Sequence, residues 1–372
     1  MPSSSLPAVS TLRIDDLRVA AFRIPTESPE SDGTLEWTAT GLVVVELAAA
    51  GERGLGYTYG EPGIGRLIAD ELETLVIGRD PFDIGGIGRD IVARFRNAGR
   101  QGAVAQALSA VDIALWDLKA RLLQVPLIAL LGAARASLPV YGSGGFTSYA
   151  DAELQRQFRG WSETGISRFK MKVGREPERD RDRVRAARAA IGDRAALFVD
   201  ANSAYTRNEA LVQARMFVDE ADVRWLEQPL PPGDLEGLRF LRGRVPAGLR
   251  IADGEYGYDL NYFRRLLEAQ AVDVVMADAT RCGGITGFLA VAVLCETWML
   301  PLSSHCAPAL HVHPGCAALP MIHAEYFHDH ARIEQTFFDG AAEPAGGELR
   351  PDRSRPGHGL IFKWADAAPF AA

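Results

Sequence analysis

The sequence predicts an α/β protein: a closed parallel barrel of alternating strands and helices over residues 138–345, preceded by an α+β domain at 1–137. Three observations predict it. From residue 138 onward, short apolar runs each end in a polar or charged residue. Most runs are followed by a helix-patterned segment. The polar ends also recur at a steady interval: 28 residues from Lys172 to Asp200, 27 to Glu227 and 28 to Glu255, then 23, 27 and 20 to Asp278, His305 and Glu325. A strand plus a crossover helix occupies about that length, and eight such units between 138 and 326 make a parallel barrel of the TIM type.

In the first domain, LRIDDLRVAAFRI (12–24) reads as strand. PTESPESDGTLEWTAT (25–40), rich in Ser, Pro, Glu and Thr, reads as a mobile loop. GLVVVELAAAGERGLGYTYG has the form of a hairpin, a β-branched run followed by a Gly-containing turn and a second strand. Residues 66–124 are helical in pattern, with Leu108, Val111, Leu115 and Leu118 on one stripe.

In the second domain the runs are LPVYGS, SRFKMK, AALFVD, VRWLEQ, LRIADGE, VDVVMAD, MLPLSSH and MIHAEY. They are continuous rather than alternating, as strands buried on both faces require. Between them, one helix has Pro177 in its first turn, carries Val184, Ala187 and Ile191, and closes at Gly192. Another starts near Thr206. An open doubly wound sheet would show a Gly-rich strand-to-helix turn. PGIG and DIGGIG lie in the first domain, lack the spacing and follow no clear strand.

The 372 residues are 47% hydrophobic and 24% charged, an ordinary soluble composition with ample core. The net charge of −8 argues against nucleic acid and acidic lipid as partners. MPSSSLPAVSTLRIDD lacks the basic start and apolar run of a signal peptide, and no stretch is long and apolar enough to span a membrane. Cys282, Cys295, Cys306 and Cys316 show no CxxC spacing and read as reduced, buried thiols. The expectation is a cytoplasmic homo-oligomer with neither a nucleic-acid nor a membrane partner.

The polar strand ends carry the chemistry. Lys170 and Lys172 lie two apart on one strand and both point into the barrel near its rim. Each lowers the other's pKa, so nearby negative charge must compensate. Asp200, Glu227 and Glu255 come from three consecutive strands and cannot all stay ionised without a cation. Oxygen ligands suit a hard ion such as Mg²⁺. Asp253, two residues before Glu255 and on the same side, competes for the third place. Asp278 and His305 end neighbouring strands, where a carboxylate fixes the imidazole tautomer and raises its basicity. Glu325 completes the ring. Taken singly, each has a plainer reading: a solvated Lys-x-Lys edge, an Asp N-cap, a core histidine. His311 and His313 resemble a metal pair, but beside Pro314 they read as part of a helix or loop. The ordered combination outweighs these readings.

FKMKVG, VDANSAY, WLEQP, IADGEYG, ADATRCGGITG, SSHCAP, HAEYF and RPGHGLIF together resemble the mandelate racemase subgroup of the enolase superfamily, across nearly the whole chain. The resemblance implies a (β/α)7β barrel capped by the N-terminal domain and by a C-terminal segment, 346–372, that returns to the cap. It implies Mg²⁺ on Asp200, Glu227 and Glu255. The activity implied is removal of the proton alpha to the carboxylate of a small-molecule substrate, through an enediolate. In that scheme Lys170 is a fixed positive charge on the substrate carboxylate, and Glu325, if protonated, donates a hydrogen bond to it. Lys172 is the base, its pKa pushed down by Lys170 and the metal. His305, oriented by Asp278, acts from the opposite side.

Dehydration of an acid sugar (aldonate or aldarate) to a 2-keto-3-deoxy acid is the favoured reaction, with racemisation or epimerisation of a 2-hydroxy acid or acid sugar as the alternative. A metal-dependent hydrolase would open its barrel with His-x-His, which LPVYGSGG lacks. A non-catalytic carboxylate-binding protein would have little need for both bases. Specificity is expected from residues 25–40, from Tyr57–Gly63 and from Ser143–Phe146.

Overall fold

A computed structural model describes residues 12–372. Most of the N-terminal segment read for a targeting signal lies outside the described residues. Three long antiparallel strands, β1 (Asp16–Ser31), β2 (Glu36–Ala49) and β3 (Glu52–Tyr59), form the sheet of the first domain in sequential order. The VVV run of β2 is apolar on both faces because both are covered. Val43, Val45 and Leu47 pack under the domain's own helices, of which Ala103–Leu122 is the longest. Leu42 and Val44 pack on the side shared with the barrel core.

The structure corrects the loop expected at 25–40. β1 continues to Ser31 and β2 begins at Glu36, with a bulge between Pro25 and Glu30, so only a short turn separates them. Polar composition misled here because tertiary contacts supply the pairing. The Trp37 indole N–H donates to Glu30 at 2.9 Å, Ser31 and Thr147 hydroxyls meet at 2.6 Å, and Thr40 bonds Asp329. At the turn, Gly33 lies against the barrel rim, where a Cβ would sit 2.2 Å from the Ala201 carbonyl.

The eight apolar runs become eight parallel strands: β4 (Leu138–Gly144), β5 (Arg168–Lys172), β6 (Ala196–Asp200), β7 (Val223–Glu227), β8 (Arg250–Asp253), β9 (Val274–Ala277), β10 (Leu302–Ser304) and β11 (Met321–Phe327). Each pairs with the next, and β11 pairs in parallel with β4, closing the barrel. Phe169, Met171 and Val173 pack outward against the helices. Between them, Lys170 and Lys172 enter the interior. Below the lysines the interior is filled by Tyr141, Phe198, Trp225, Ala252, Val274 and Met276. The helix after β5 runs Pro177–Ile191 and stops at Gly192 with φ 70°. The helix after β6 starts at Thr206, whose reciprocal bonds with Glu209 form a capping box.

The last residues return to the first domain. Trp364 donates to Glu46 at 3.1 Å, and the Ala372 amide donates to the Ala21 carbonyl at 3.0 Å. All four cysteines are buried and unpaired. Among the described residues no helix is long and apolar enough to cross a membrane.

One joint between cap and barrel carries a pH signature. Asp112, on Ala103–Leu122, accepts from the Thr286 amide at 3.0 Å and its hydroxyl at 2.5 Å, at the start of the barrel helix Gly284–Thr297. Burial lifts its carboxyl from 3.8 to about 7, against the lowering effect of those bonds. The folded state therefore holds a proton that the unfolded chain has lost, and stability falls as pH rises through that window. Asp112→Asn is expected to flatten the decline between about pH 4 and 7, read as the urea midpoint against pH. An unchanged slope would show that Asp112 is not its source.

Candidate active site

Closing the barrel brings the strand ends into one layer. Lys172 is the register partner of Asp200, and Asp200 of Glu227. The Lys170 ammonium is fully buried; it pairs with Glu227, with Glu325 Oε1 at 2.7 Å and with Asp200 Oδ2 at 3.3 Å. Lys172 Nζ lies 2.6 Å from Asp200 Oδ2. Glu227 takes a second bond on Oε2 from the Trp225 indole at 2.9 Å. Glu325 Oε2 accepts from the Cys306 amide at 2.7 Å.

Oxygens of Asp200, Glu227 and Glu255 all lie within 4.8 Å of one another, and all three residues are buried. Glu255 Oε2 is buried without a hydrogen-bond partner. Burial pushes the Glu227 carboxyl well up, and Asp200, Glu325 and Glu255 add to this against Lys170. Three crowded acids, one of them with an orphaned oxygen, are the donor set of a hard divalent cation.

On the far side, His305 Nδ1 meets Asp278 Oδ2 at 2.8 Å, and His305 Nε2 lies 3.4 Å from Glu255 Oε2. The Asp278 carboxyl, despite burial, is held well below the ordinary range by His305 and Arg281. β5 and β10 are three strands apart around the ring one way and five the other. Lys172 and His305 therefore face a common cavity of about 260 Å³ from different sides. The cap supplies Trp37, Thr40 and Tyr59 to its walls, and the barrel adds Asn202, Tyr256 and Arg281.

Two expectations, the place of Asp253 and the lining by Ser143–Phe146, need correction. Asp253 is not beside Glu255. It faces outward, accepting from the Tyr262 hydroxyl at 3.0 Å. Gly254, with φ 136°, breaks the alternation of the strand and swings Glu255 into the mouth; a Cβ there would sit 2.2 Å from the Met276 carbonyl. Among the protein groups alone, the Lys172 ammonium is pushed up. Burial and Lys170 act downward, but Asp200, Glu325 and Glu255 outweigh them. The Glu325 carboxyl is pushed down by the protein groups around it. Burial would raise it, but Lys170, His305 and Lys172 outweigh burial, and it accepts on both oxygens. Ser143 and Phe146 do not line the cavity. Both are wholly buried, and Phe146 braces Trp37 and Phe327 from behind.

His311 and His313 sit inside the helix Pro308–Ala317. His311 Nε2 accepts from the Ala279 amide at 2.9 Å, so its Nδ1–H donates to the Cys306 and Ala307 carbonyls, each 2.9 Å away. It braces the turn that carries Asp278. Several residues of this neighbourhood escape sequence reasoning. Arg281, three residues after Asp278, packs beside it at 3.6 Å. Asn202, two after Asp200, leaves its Oδ1 buried and unpartnered at the cavity. Spacing from an already suspected acid was the only available signal for both. Cys306 Sγ, 3.3 Å from His305 Nε2, had none beyond adjacency.

Comparison with known proteins matches residues 153–366 to the family model described as enolase C-terminal domain-like. Residues 23–132 match the mandelate racemase / muconate lactonizing enzyme N-terminal domain. The chain is 34% identical over 361 residues to the 3,6-anhydro-alpha-L-galactonate cycloisomerase of Streptomyces coelicolor, covering 94% of this chain and 97% of the relative. It is 32% identical over 370 residues to the L-talarate/galactarate dehydratase of Salmonella typhimurium, covering 96% and 90%. Among solved structures, a mandelate racemase/muconate lactonizing enzyme-like protein from Rubrobacter xylanophilus superposes with a TM-score of 0.95 at 51% identity, covering 97% of this chain and all of that one. A racemase from Streptomyces coelicolor A3(2) with bound magnesium gives 0.91 at 31%, covering 96% and 100%.

The acid cluster makes a thermodynamic prediction. Mg²⁺ at roughly 100 times its Kd should stabilise the protein by about 2.7 kcal/mol through binding to the folded state. Glu255→Gln should remove most of that gain while raising the stability measured in EDTA, since one of the repelling charges is gone. Equal Mg²⁺ stabilisation of both proteins in thermal melts would exclude Glu255 as a ligand.

Proposed function

The chain belongs to the mandelate racemase subgroup of the enolase superfamily, and on that premise we propose that it is a Mg²⁺-dependent dehydratase of an acid sugar. The reaction converts an aldonate or aldarate to a 2-keto-3-deoxy acid. The observation that carries this reading is the pair Lys172 and His305 on different sides of one cavity, with three buried acids between the strands that bear them.

Asp200, Glu227 and Glu255 are the residues that would hold the ion. An ion held there would supply Lewis-acid stabilisation of the developing carboxylate charge. Lys172, once neutral, takes the α-proton. Lys170, fixed by Glu227 and Glu325, presents positive charge where the enediolate gathers its second negative charge. His305⁺, stabilised by Asp278, gives its proton to the β-hydroxyl. The C–O bond breaks, water leaves, and the resulting enol tautomerises to the keto acid. Glu325 holds Lys170 and the Cys306 amide in place.

The same two groups support a second reading. Where no hydroxyl is placed to leave, His305 can return a proton to the opposite face, giving racemisation or epimerisation. The homology to the cycloisomerase fits an isomerase outcome.

Incubation with Mg²⁺ and a panel of aldonic and aldaric acids in D₂O separates the two. Keto-acid formation supports dehydration. Deuterium at the α-carbon with an epimeric product supports the isomerase. Neither, across the panel, would refute both. Lys172→Ala and His305→Asn are each expected to lower kcat by roughly 10³-fold or more, with unchanged circular dichroism and retained Mg²⁺ affinity. Full activity in either variant would remove that residue from its role.

A further inference from the structure

The opposite end of the barrel holds a second cavity, of about 390 Å³, with no part in the chemistry above. Its walls include three arginines, Arg168, Arg224 and Arg250, and the imidazole of His323, with Phe198 and Trp225 behind them. None of its lining residues is acidic, in a chain with 48 acidic and 40 basic residues. Arg224 pairs with Asp222 at 2.5 Å. Among the described residues, Arg168 and Arg250 have no carboxylate within ion-pair distance.

His323 is only 4% exposed, on β11. Its Nδ1 is engaged by the Ser303 hydroxyl at 2.9 Å, and no protein group among the described residues bonds its other ring nitrogen. Burial first, and then Arg168 and Arg250, push its pKa down to about 3, and all three residues line the same cavity. A pocket lined by two guanidinium groups without carboxylate partners, over a buried imidazole that presents Nε2–H when Nδ1 accepts from Ser303, suits an anion. Guanidinium forks match tetrahedral oxyanions through paired hydrogen bonds.

We propose that this N-terminal mouth of the barrel is a binding site for a small, multiply charged anion of the phosphate class, held by Arg168 and Arg250 with His323 at its base. The site is separate from the catalytic mouth, whose excess of carboxylates repels such a ligand.

The test is calorimetric titration of the full chain with inorganic pyrophosphate and phosphate in Mg²⁺-free buffer. Pyrophosphate should bind saturably at one site per chain and more tightly than phosphate. Arg168→Gln and Arg250→Gln should each weaken it roughly tenfold or more, with unchanged melting curves and unchanged catalytic turnover. Lys172→Ala should leave pyrophosphate binding intact. Failure to bind at millimolar concentration would overturn the proposal, as would affinity unaffected by the arginine variants. Loss of binding in Lys172→Ala would assign the anion to the other mouth. Preference for citrate over pyrophosphate would overturn the phosphate assignment.

Discussion

The site depends on the balance of charges buried at one end of the barrel. Two ammonium groups, on Lys170 and Lys172, face four carboxylates, on Asp200, Glu227, Glu255 and Glu325, all nearly removed from water. Isolated charges cannot be buried in this way, because desolvation costs far more than any single contact returns. Each lysine is held charged by its acids, and Glu227 shows the strain of the surplus in its raised pKa. The excess of two negative charges equals the charge of one divalent ion. Asp278 meets His305 and Arg281, and His305 in turn reaches Glu255 at 3.4 Å, so the two halves of the mouth are joined.

The fold exists to hold that balance in place. Strand alternation puts the lysines inside and Phe169, Met171 and Val173 outside, so one five-residue strand serves both the core and the site. An aromatic layer beneath the charges excludes water, and Trp225 also ties it to Glu227. The cap closes the upper side with β-structure rather than a loose loop. Its hairpin turn meets the rim at Gly33, and Tyr57 and Tyr59 reach the buried Glu334. That rigidity suits a reaction whose intermediate must be shielded from water.

Much of this was legible in the residues. The eight strands follow from continuous apolar runs because strands covered on both faces have nothing polar to alternate with until they reach the mouth. The polar end of each run then marks the site, and the acid cluster follows from spacing. What was not legible was set by backbone geometry and by three-dimensional charge. Gly254 turns Glu255 one way and leaves Asp253 the other, which strand periodicity cannot express. The polar stretch 25–40 forms strands because β1 and β2 find partners and Glu30 finds Trp37. Which acids the two lysines meet turns on distances, such as Lys172 to Asp200 and Lys170 to Glu325, that no linear pattern carries. Arg281 and Asn202 are ordinary residues of their turns until the fold aims them at the cavity.

The account stands most directly on where a divalent ion sits. Anomalous diffraction from crystals soaked in Mn²⁺ should show one strong peak about 2.1–2.2 Å from oxygens of Asp200, Glu227 and Glu255, with Lys172 and His305 on either side of the adjoining cavity. A peak elsewhere, or none among those three carboxylates at saturating metal, would contradict it.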